Sequence, residues 1–188
     1  MHDDVRTLIS GDWYLDTPEL RRLRDDCAAA VDRFNALPAV DHDGRRAILR
    51  ALFASCGDDC EVVPRLRVSY GFNTRLGRGV YLNANAFLMD DGPITLGDHV
   101  RIGPSAVLAT ALHPIEDHRL RREGYERTAP ITIGDNCWLG SSVTVGAGVT
   151  IGRNTVVGAG SVVVRDLPDH VVAVGSPAVP IRTLPAES

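Results

Sequence analysis

A chain of 188 residues, 44% apolar and 23% charged, fits one domain plus an accessory segment and is long enough to bury most of its apolar surface. Its net charge of −4 argues against a nucleic-acid or anionic-membrane partner, since either selects a basic face. No stretch approaches the roughly 20 apolar residues that span a bilayer, and the acidic opening Met1-His2-Asp3-Asp4 leads into no secretory signal, so the expectation is a cytoplasmic protein.

In chain order, the first predicted element is a helix from Thr17 to about Leu37. Asp16 or Thr17 caps it, Pro18 suits its first turn, and Leu20, Leu23, Cys27, Ala30, Val31 and Phe34 form one apolar stripe. A second helix is expected to begin at Asp43, bury Ile48, Leu52 and Phe53, and stop at Gly57. Residues 1–60 therefore read as a helical capping segment. The four cysteines, Cys27, Cys56, Cys60 and Cys137, lack the paired spacing of a zinc site and read as reduced, mostly buried thiols. From Val62 to Tyr70, Arg65 and Arg67 alternate with Leu66 and Val68, which suits a half-exposed strand.

Next comes a rhythm of six: Leu76-Gly77, Leu82 and Leu88, then, after a two-residue slip at Asp90-Asp91-Gly92, Leu96-Gly97, Ile102-Gly103 and Leu108. It returns without a miss from Ile133 through Leu139, Val145, Ile151 and Val157 to Val163, and all but the last are followed by glycine. A helix places aliphatics at steps of three and four, so a period of six indicates short strands joined by turns. The residue four after each aliphatic (Cys137, Val143, Val149, Thr155, Ser161) faces the same narrow interior. The glycines are expected to adopt backbone conformations that a Cβ would strain. Coils of this kind stack into a parallel β-helix, assigned to residues 61–168. A β-sandwich with glycine-rich turns would have to produce six consecutive hits by chance.

The repeat breaks most widely over 109–130, a stretch of about 20 residues with no helical or strand period, read as an excursion from one corner. It carries four acids and four arginines, with His113 and His118. After Val163 the pattern decays, and Pro and Gly spacing suggests an extended tail over 169–188 lying along the column. His113 is the candidate general base, held extended by Pro114 where the scaffold breaks.

Several blocks carry a resemblance: GDWYLDTPELRRLR, VSYGFNTRLGRGVYLNANAFLMDDGPITLGDHVRIGP, the LHP of the excursion, and PITIGDNCWLGSSVTVGAGVTIGRNTVVGAGSVVVRDLP followed by AVGSPA. From Gly11 to Arg182 the chain resembles the hexapeptide-repeat acyltransferases, and within them the maltose and galactoside O-acetyltransferases, nodulation acetyltransferases included. The resemblance implies a mainly β protein, a left-handed parallel β-helix that forms a homotrimer with active sites between subunits. It implies acetyl-CoA as co-substrate, no metal, and a small-molecule hydroxyl acceptor such as a sugar. His113 matches the catalytic histidine, Asn83 an asparagine at the acetyl end, and Asp16, Ser69 and Asp91 acceptor-binding positions. Trp138, Ser141, Ala159, Val164, Arg165 and Arg182 match cofactor-binding positions.

The chain departs from the family where Val164-Arg165 replaces the frequent Thr-Lys and where Val179 replaces a basic residue. Arg65, Arg67 and Arg101 are unusual occupants, and would favour an anionic acceptor if they lined its pocket. Xenobiotic acetyltransferases share the repeats and the histidine. Zinc enzymes resembling γ-type carbonic anhydrases are a further alternative, with His113 and His118 as two ligands and only His99 left in the repeats for a third, at a hexad position that does not point to the same cleft; a non-enzymatic scaffold is the third reading.

Overall fold

In the computed structural model, which describes residues 3–186, the rhythm of six winds the chain into a three-sided column. The opening Met1-His2 and the closing Glu187-Ser188 of the expected tail lie outside the described residues. The first face stacks Ser55–Cys56, Thr74–Leu76, Ile94–Leu96, Ile131–Ile133 and Thr150–Ile151. The second stacks Glu61–Val62, Tyr81–Leu82, Arg101–Ile102, Trp138–Leu139, Val156–Val157 and Val171–Gly175. The third stacks Arg67–Val68, Phe87–Met89, Val107–Ala109, Thr144–Val145 and Val162–Val163.

Register explains the rhythm. Leu76, Leu96, Ile133 and Ile151 are successive partners on the first face, Leu82, Ile102, Leu139 and Val157 on the second, and Leu88, Leu108, Val145 and Val163 on the third. All are buried, so each inward row becomes a continuous apolar ladder and the backbone pairs along the axis.

The glycines after the aliphatics serve a different purpose from the one expected. Positive φ falls instead three residues after the aliphatic, at Asn85, His99, Ser105, Asn136, Ser142 and Asn154 among others. The glycines provide room: a Cβ on Gly140 would lie 2.7 Å from the backbone nitrogen of Ala159 in the next coil, whereas one on Gly146 would meet nothing closer than 3.5 Å. Gly140→Ala is therefore expected to destabilise the fold by about 1–3 kcal/mol, and Gly146→Ala to stay within about 1 kcal/mol of the parent or exceed it. Urea midpoints compare the two; equal losses would contradict the close-approach explanation.

Helix α1 spans Asp3–Ser10, α2 Pro18–Ala36 and α3 His42–Leu52. Thr17 caps α2 by accepting from Leu20 N, and Asp41 caps α3 by accepting from Gly44 N. Phe34, Leu49 and Phe53 join the apolar interior of the column, and Asn35 clamps α2 to it through Leu66 N and O, both at 2.9 Å.

Several expectations need correction. Helix α3 stops five residues short of Gly57, because Ser55–Cys56 already pairs with the column, and Leu49 rather than Ile48 or Leu52 is its most buried aliphatic. Residues 62–70 are not one strand, since the chain turns a corner at 63–66 between Glu61–Val62 and Arg67–Val68. The excursion has structure of its own: Ala111–Leu112 pairs antiparallel with Arg127–Thr128, enclosing helix α4, His118–Arg122. The tail folds into a hairpin, in which Val171–Gly175 extends the second face and Ala178–Thr183 pairs back on it. Among the described residues, no helix is long and apolar enough to cross a membrane.

Candidate active site

Twenty residues separate Leu76 from Leu96, but eighteen separate Ile133 from Ile151, and the surplus leaves from one edge. The edge between the third and first faces carries 69–73, the slip at 90–93 and the excursion, stacked in successive coils. Asp90 braces it from inside: its carboxylate accepts from Tyr70 N at 2.8 Å and Thr74 Oγ1 at 2.9 Å. Burial pushes Asp90 up to about 6, although these hydrogen bonds favour the charged form. Asn73 Nδ2 donates to the carbonyls of Asp90 and Asp91, which fixes the turn.

Asp91, anchored by that turn, is 7% exposed, and its Oδ2 has no hydrogen-bond partner among the described residues. Burial and the nearby Glu126 raise its pKa, while a hydrogen bond from the Ser69 hydroxyl opposes them. A buried carboxylate oxygen without a donor is costly in isolation and suits a ligand hydroxyl. Asp16 repeats the motif. Its Oδ2 accepts from Arg21 Nε and Arg24 Nη2, both at 2.8 Å, while Oδ1 is buried without a partner. Burial works against its charge, but the bonds from Arg24 and Arg21 hold its carboxyl below the usual range. Arg24 also donates to the Tyr70 hydroxyl at 2.6 Å, joining α2 to the column at this point.

The excursion closes the recess. Tyr14 and Glu126 exchange backbone hydrogen bonds of 2.8 and 2.9 Å, and the Tyr14 hydroxyl donates to Glu126 Oε2 at 3.0 Å. Burial, reinforced by the charges of Glu126 and Asp91, drives the Tyr14 phenol far above its ordinary range, so it remains a donor. Beneath the hairpin, Thr128 Oγ1 donates to Leu8 O, and Leu8, Tyr14, Leu20 and Tyr70 pack as a second apolar cluster.

His113 follows the first hairpin strand. Its Nδ1 lies 3.1 Å from the carbonyl of Tyr125, and a carbonyl only accepts, so Nδ1 carries a proton and Nε2 is the nitrogen left to face a ligand. Glu126 Oε1 is 3.7 Å from Nε2. The ring also borders a cleft of about 430 Å³ with Trp13, Leu112, Pro114 and Arg127, where the Arg127 guanidinium lies 4.8 Å from the Trp13 ring centre.

One chain thus brings Asp16, Ser69, Asp91 and His113 together at one edge, with Tyr14, Arg24, Tyr70, Asp90 and Glu126, which the sequence reading did not single out. Glu126 carried a faint signal, as an acid within the excursion; Tyr14 lay in a quoted block without a role.

The other candidates are elsewhere. Asn83, Ser141 and Ala159 line the edge between the second and third faces. Asn83 Oδ1 accepts from Ala84 N at 2.7 Å, which leaves its Nδ2 without a partner among the described residues. Trp138 stands on the second face beside Arg101 and is 57% exposed. Val164 and Arg165 lie on the same edge as the excursion but two coils beyond it, and Arg182 is in the terminal hairpin opposite Val172; Val164 and Val179 are exposed apolar side chains.

The unusual arginines stay outside the recess: Arg65 is at the corner between the second and third faces, Arg67 stacks on Phe87, 4.5 Å from the ring centre, and Arg101 lies on the second face between Tyr81 and Trp138. His118 is bonded to Arg121, and His99 occupies the edge between the first and second faces, so the suggested zinc ligands do not converge. Among the described residues there is no group of three or more His, Cys, Asp or Glu that could hold a metal ion.

Comparison with known proteins identifies the family and the fold. Residues 8–57 match the maltose acetyltransferase hexapeptide capping motif, and residues 130–165 match the bacterial transferase hexapeptide (six repeats). A galactoside O-acetyltransferase of Escherichia coli strain K12 is 42% identical over 151 residues, 80% of this chain and 74% of that one. The crystal structure of a maltose O-acetyltransferase from Clostridium difficile 630 superposes with a TM-score of 0.96 at 36% identity, covering 98% of this chain and 99% of the other. A hexapeptide-repeat acetyltransferase from Vibrio cholerae O1 biovar eltor, complexed with acetyl-CoA, superposes with a TM-score of 0.90 at 34% identity, covering 98% and 100%.

Proposed function

This chain belongs to the hexapeptide-repeat O-acetyltransferases of the maltose and galactoside type, and from that premise we propose that it acetylates a hydroxyl of a sugar or sugar-like molecule with His113 as general base. Its column is the left-handed parallel β-helix of that family, and it is an acetyl-CoA-dependent O-acetyltransferase. The observation that carries the finer reading is the orientation of His113: Nδ1 is directed to the Tyr125 carbonyl, and Nε2 faces Glu126 at 3.7 Å, at the rim of a recess holding two unpartnered carboxylate oxygens.

Acetyl-CoA supplies the activated acetyl group. Asp16 Oδ1 and Asp91 Oδ2 accept hydroxyl protons of the acceptor and orient it, and Ser69 holds the Asp91 carboxylate in place. Nε2 of His113 takes the proton of the reacting hydroxyl as that oxygen becomes the nucleophile. Glu126, 3.7 Å from Nε2, stabilises the imidazolium so formed, and Tyr14 fixes Glu126 through its hydroxyl. The proton then passes from Nε2 to the departing thiolate.

The remaining candidates, Asn83, Ser141 and Ala159 on the second-to-third edge, Trp138 on the second face, Arg182 in the terminal hairpin, and Val164 and Arg165 farther along the His113 edge, fit the donor. Asn83 Nδ2, with its amide oriented by Ala84 N, is a donor free for the thioester oxygen, where charge develops. Arg165 and Arg182 have no carboxylate partner among the described residues, and they are the cations we assign to the phosphates, with Trp138, Ser141, Ala159 and Val164 along the path between. Asn83 and His113 stand on different edges of the prism, separated by a face of five or six residues at about 3.3 Å each. We therefore place the site between neighbouring chains of a homotrimer, one contributing the His113 edge and the next the Asn83 edge. A cytoplasmic setting goes with this reading.

The test is thiol release from acetyl-CoA with a panel of maltose, galactosides, amino sugars, small alcohols and antibiotics. Turnover with a sugar, and a product heavier by one acetyl ester, is the expected result. Turnover confined to an antibiotic would replace the sugar reading with the xenobiotic one, and release with no acceptor would reject both.

A further inference from the structure

Within one chain Arg101 stands apart from the acceptor recess; what it faces in the assembly rests on the shared site proposed above. A site that joins the His113 edge of one chain to the Asn83 edge of the next turns every third face toward the threefold axis, because the third face lies between those two edges. Its outward row suits such a contact. Phe87, Val107, Thr144 and Val162 are successive partners, uncharged and half-buried, and Arg67 at the head of the row has its guanidinium over the Phe87 ring. The cleft outside the contact is then walled by the second face of one chain and the excursion of its neighbour.

On that second face one outward row runs in register through Tyr81, Arg101, Trp138, Val156, Val172 and Arg182. Asn83 follows Tyr81 by two residues, and its N–H donates to the carbonyl of Ile102 at 2.9 Å. Arg101 is therefore on the strand next to the one that leads to Asn83, about 4.8 Å away. It is exposed, and its guanidinium has no hydrogen bond or ion pair among the described residues. The carboxylate of the same row, Glu61, is two strands away with Tyr81 between them. A planar fork of unused donors thus stands between Tyr81 and the exposed Trp138.

The phosphates of CoA are too far along the column to be its partner. Asn83 is assigned to the thioester oxygen, and Arg182, assigned to the phosphates, is four strands beyond Arg101, roughly 19 Å. Arg101 is at the thioester end, where donor and acceptor meet.

We propose that Arg101 selects acceptors bearing an anionic group: glycosides with a carboxylate on the part of the molecule beyond the acetylated sugar. The carboxylate matches the guanidinium fork bidentately, and the Tyr81 and Trp138 rings pack against the aglycone that carries it. The anion belongs on the aglycone because Asp16 and Asp91 repel one placed among the sugar hydroxyls they hold. Arg101 thereby sets specificity without touching the reacting atoms.

Thiol release from acetyl-CoA is measured with 4-carboxyphenyl and 4-carbamoylphenyl glycosides, a pair alike in shape and different in charge, each as glucoside and galactoside. The carboxylate is expected to have a kcat/KM at least about fivefold higher, a preference that shrinks as salt is raised, and Arg101→Gln to bring the ratio to about one. CoA affinity of Arg101→Gln, read by calorimetry, is expected to match the parent and reports an intact fold. Equal kcat/KM for the pair in the parent enzyme, or a preference that survives Arg101→Gln, would overturn the assignment. Weaker CoA binding by Arg101→Gln would make Arg101 a cation for the donor and overturn it as well. No turnover of any of these glycosides would reject the sugar reading and this inference with it, whereas turnover without preference rejects this inference alone.

Discussion

Replacing His113 with alanine is expected to lower kcat by about 10²–10⁴-fold, the usual range for removing a positioned general base, while CoA still binds. The two effects separate because the substitution touches one function. His113 belongs to the edge with Asp16 and Asp91; Trp138, Ser141, Ala159 and Arg182 lie elsewhere on the column, and Arg165 lies two coils farther along the His113 edge. The hairpin that carries it is held independently of the imidazole by the pairs Ala111 with Thr128 and Leu112 with Arg127, and by the Tyr14 bridge to Glu126. Steady-state thiol release gives kcat, and calorimetric titration with CoA gives binding. Unchanged turnover would remove His113 from the chemistry, and a parallel loss of CoA affinity would make its role structural.

The column was legible because its physics is local and repeated. An aliphatic every six residues, with a small or medium residue four further on, admits few arrangements, and Ile133 through Val163 all proved buried. The glycines were legible as positions but not as causes. A sequence shows that Gly140 lacks a Cβ, whereas the nearness of Ala159 N depends on a coil nineteen residues later. Helix α1 escaped notice because its stabilising partners are distant: Leu8 packs with Tyr14, Leu20 and Tyr70, and its carbonyl meets Thr128. The excursion read as aperiodic because a two-residue antiparallel pair and a five-residue helix are too short to show a period, even though Asp117 caps that helix through Arg119 N and Leu120 N.

The candidate site was legible where it interrupts the repeat and illegible where it depends on pairing at long range. Asp91 and His113 drew attention as departures from the rhythm of six. Glu126, one acid among four in the excursion, stands out only when the hairpin sets it beside His113 and opposite Tyr14, 112 positions earlier. Asp90 and Asp91 are adjacent in sequence and alike in chemistry. Only the turn distinguishes them, directing Asp90 inward to Tyr70 N and Thr74 Oγ1 and leaving Asp91 with an unpartnered oxygen. The placement of Asn83 on another edge was likewise invisible, because the edge a residue occupies depends on every insertion before it.

That separation of edges gives the second large effect. If each site takes His113 from one chain and Asn83 from its neighbour, then His113→Ala and Asn83→Ala spoil opposite halves. Removal of a donor at the developing charge costs about 10²–10³-fold, so each variant alone is nearly inactive. Unfolded together in equal amounts and refolded, the two variants form mixed rings in which some interfaces join an intact His113 edge to an intact Asn83 edge. Random assembly makes about one interface in four of this kind. Recovery of about a quarter of parental thiol release from two inactive proteins is the result a shared site predicts, and a mixture no more active than its separate components would contradict it.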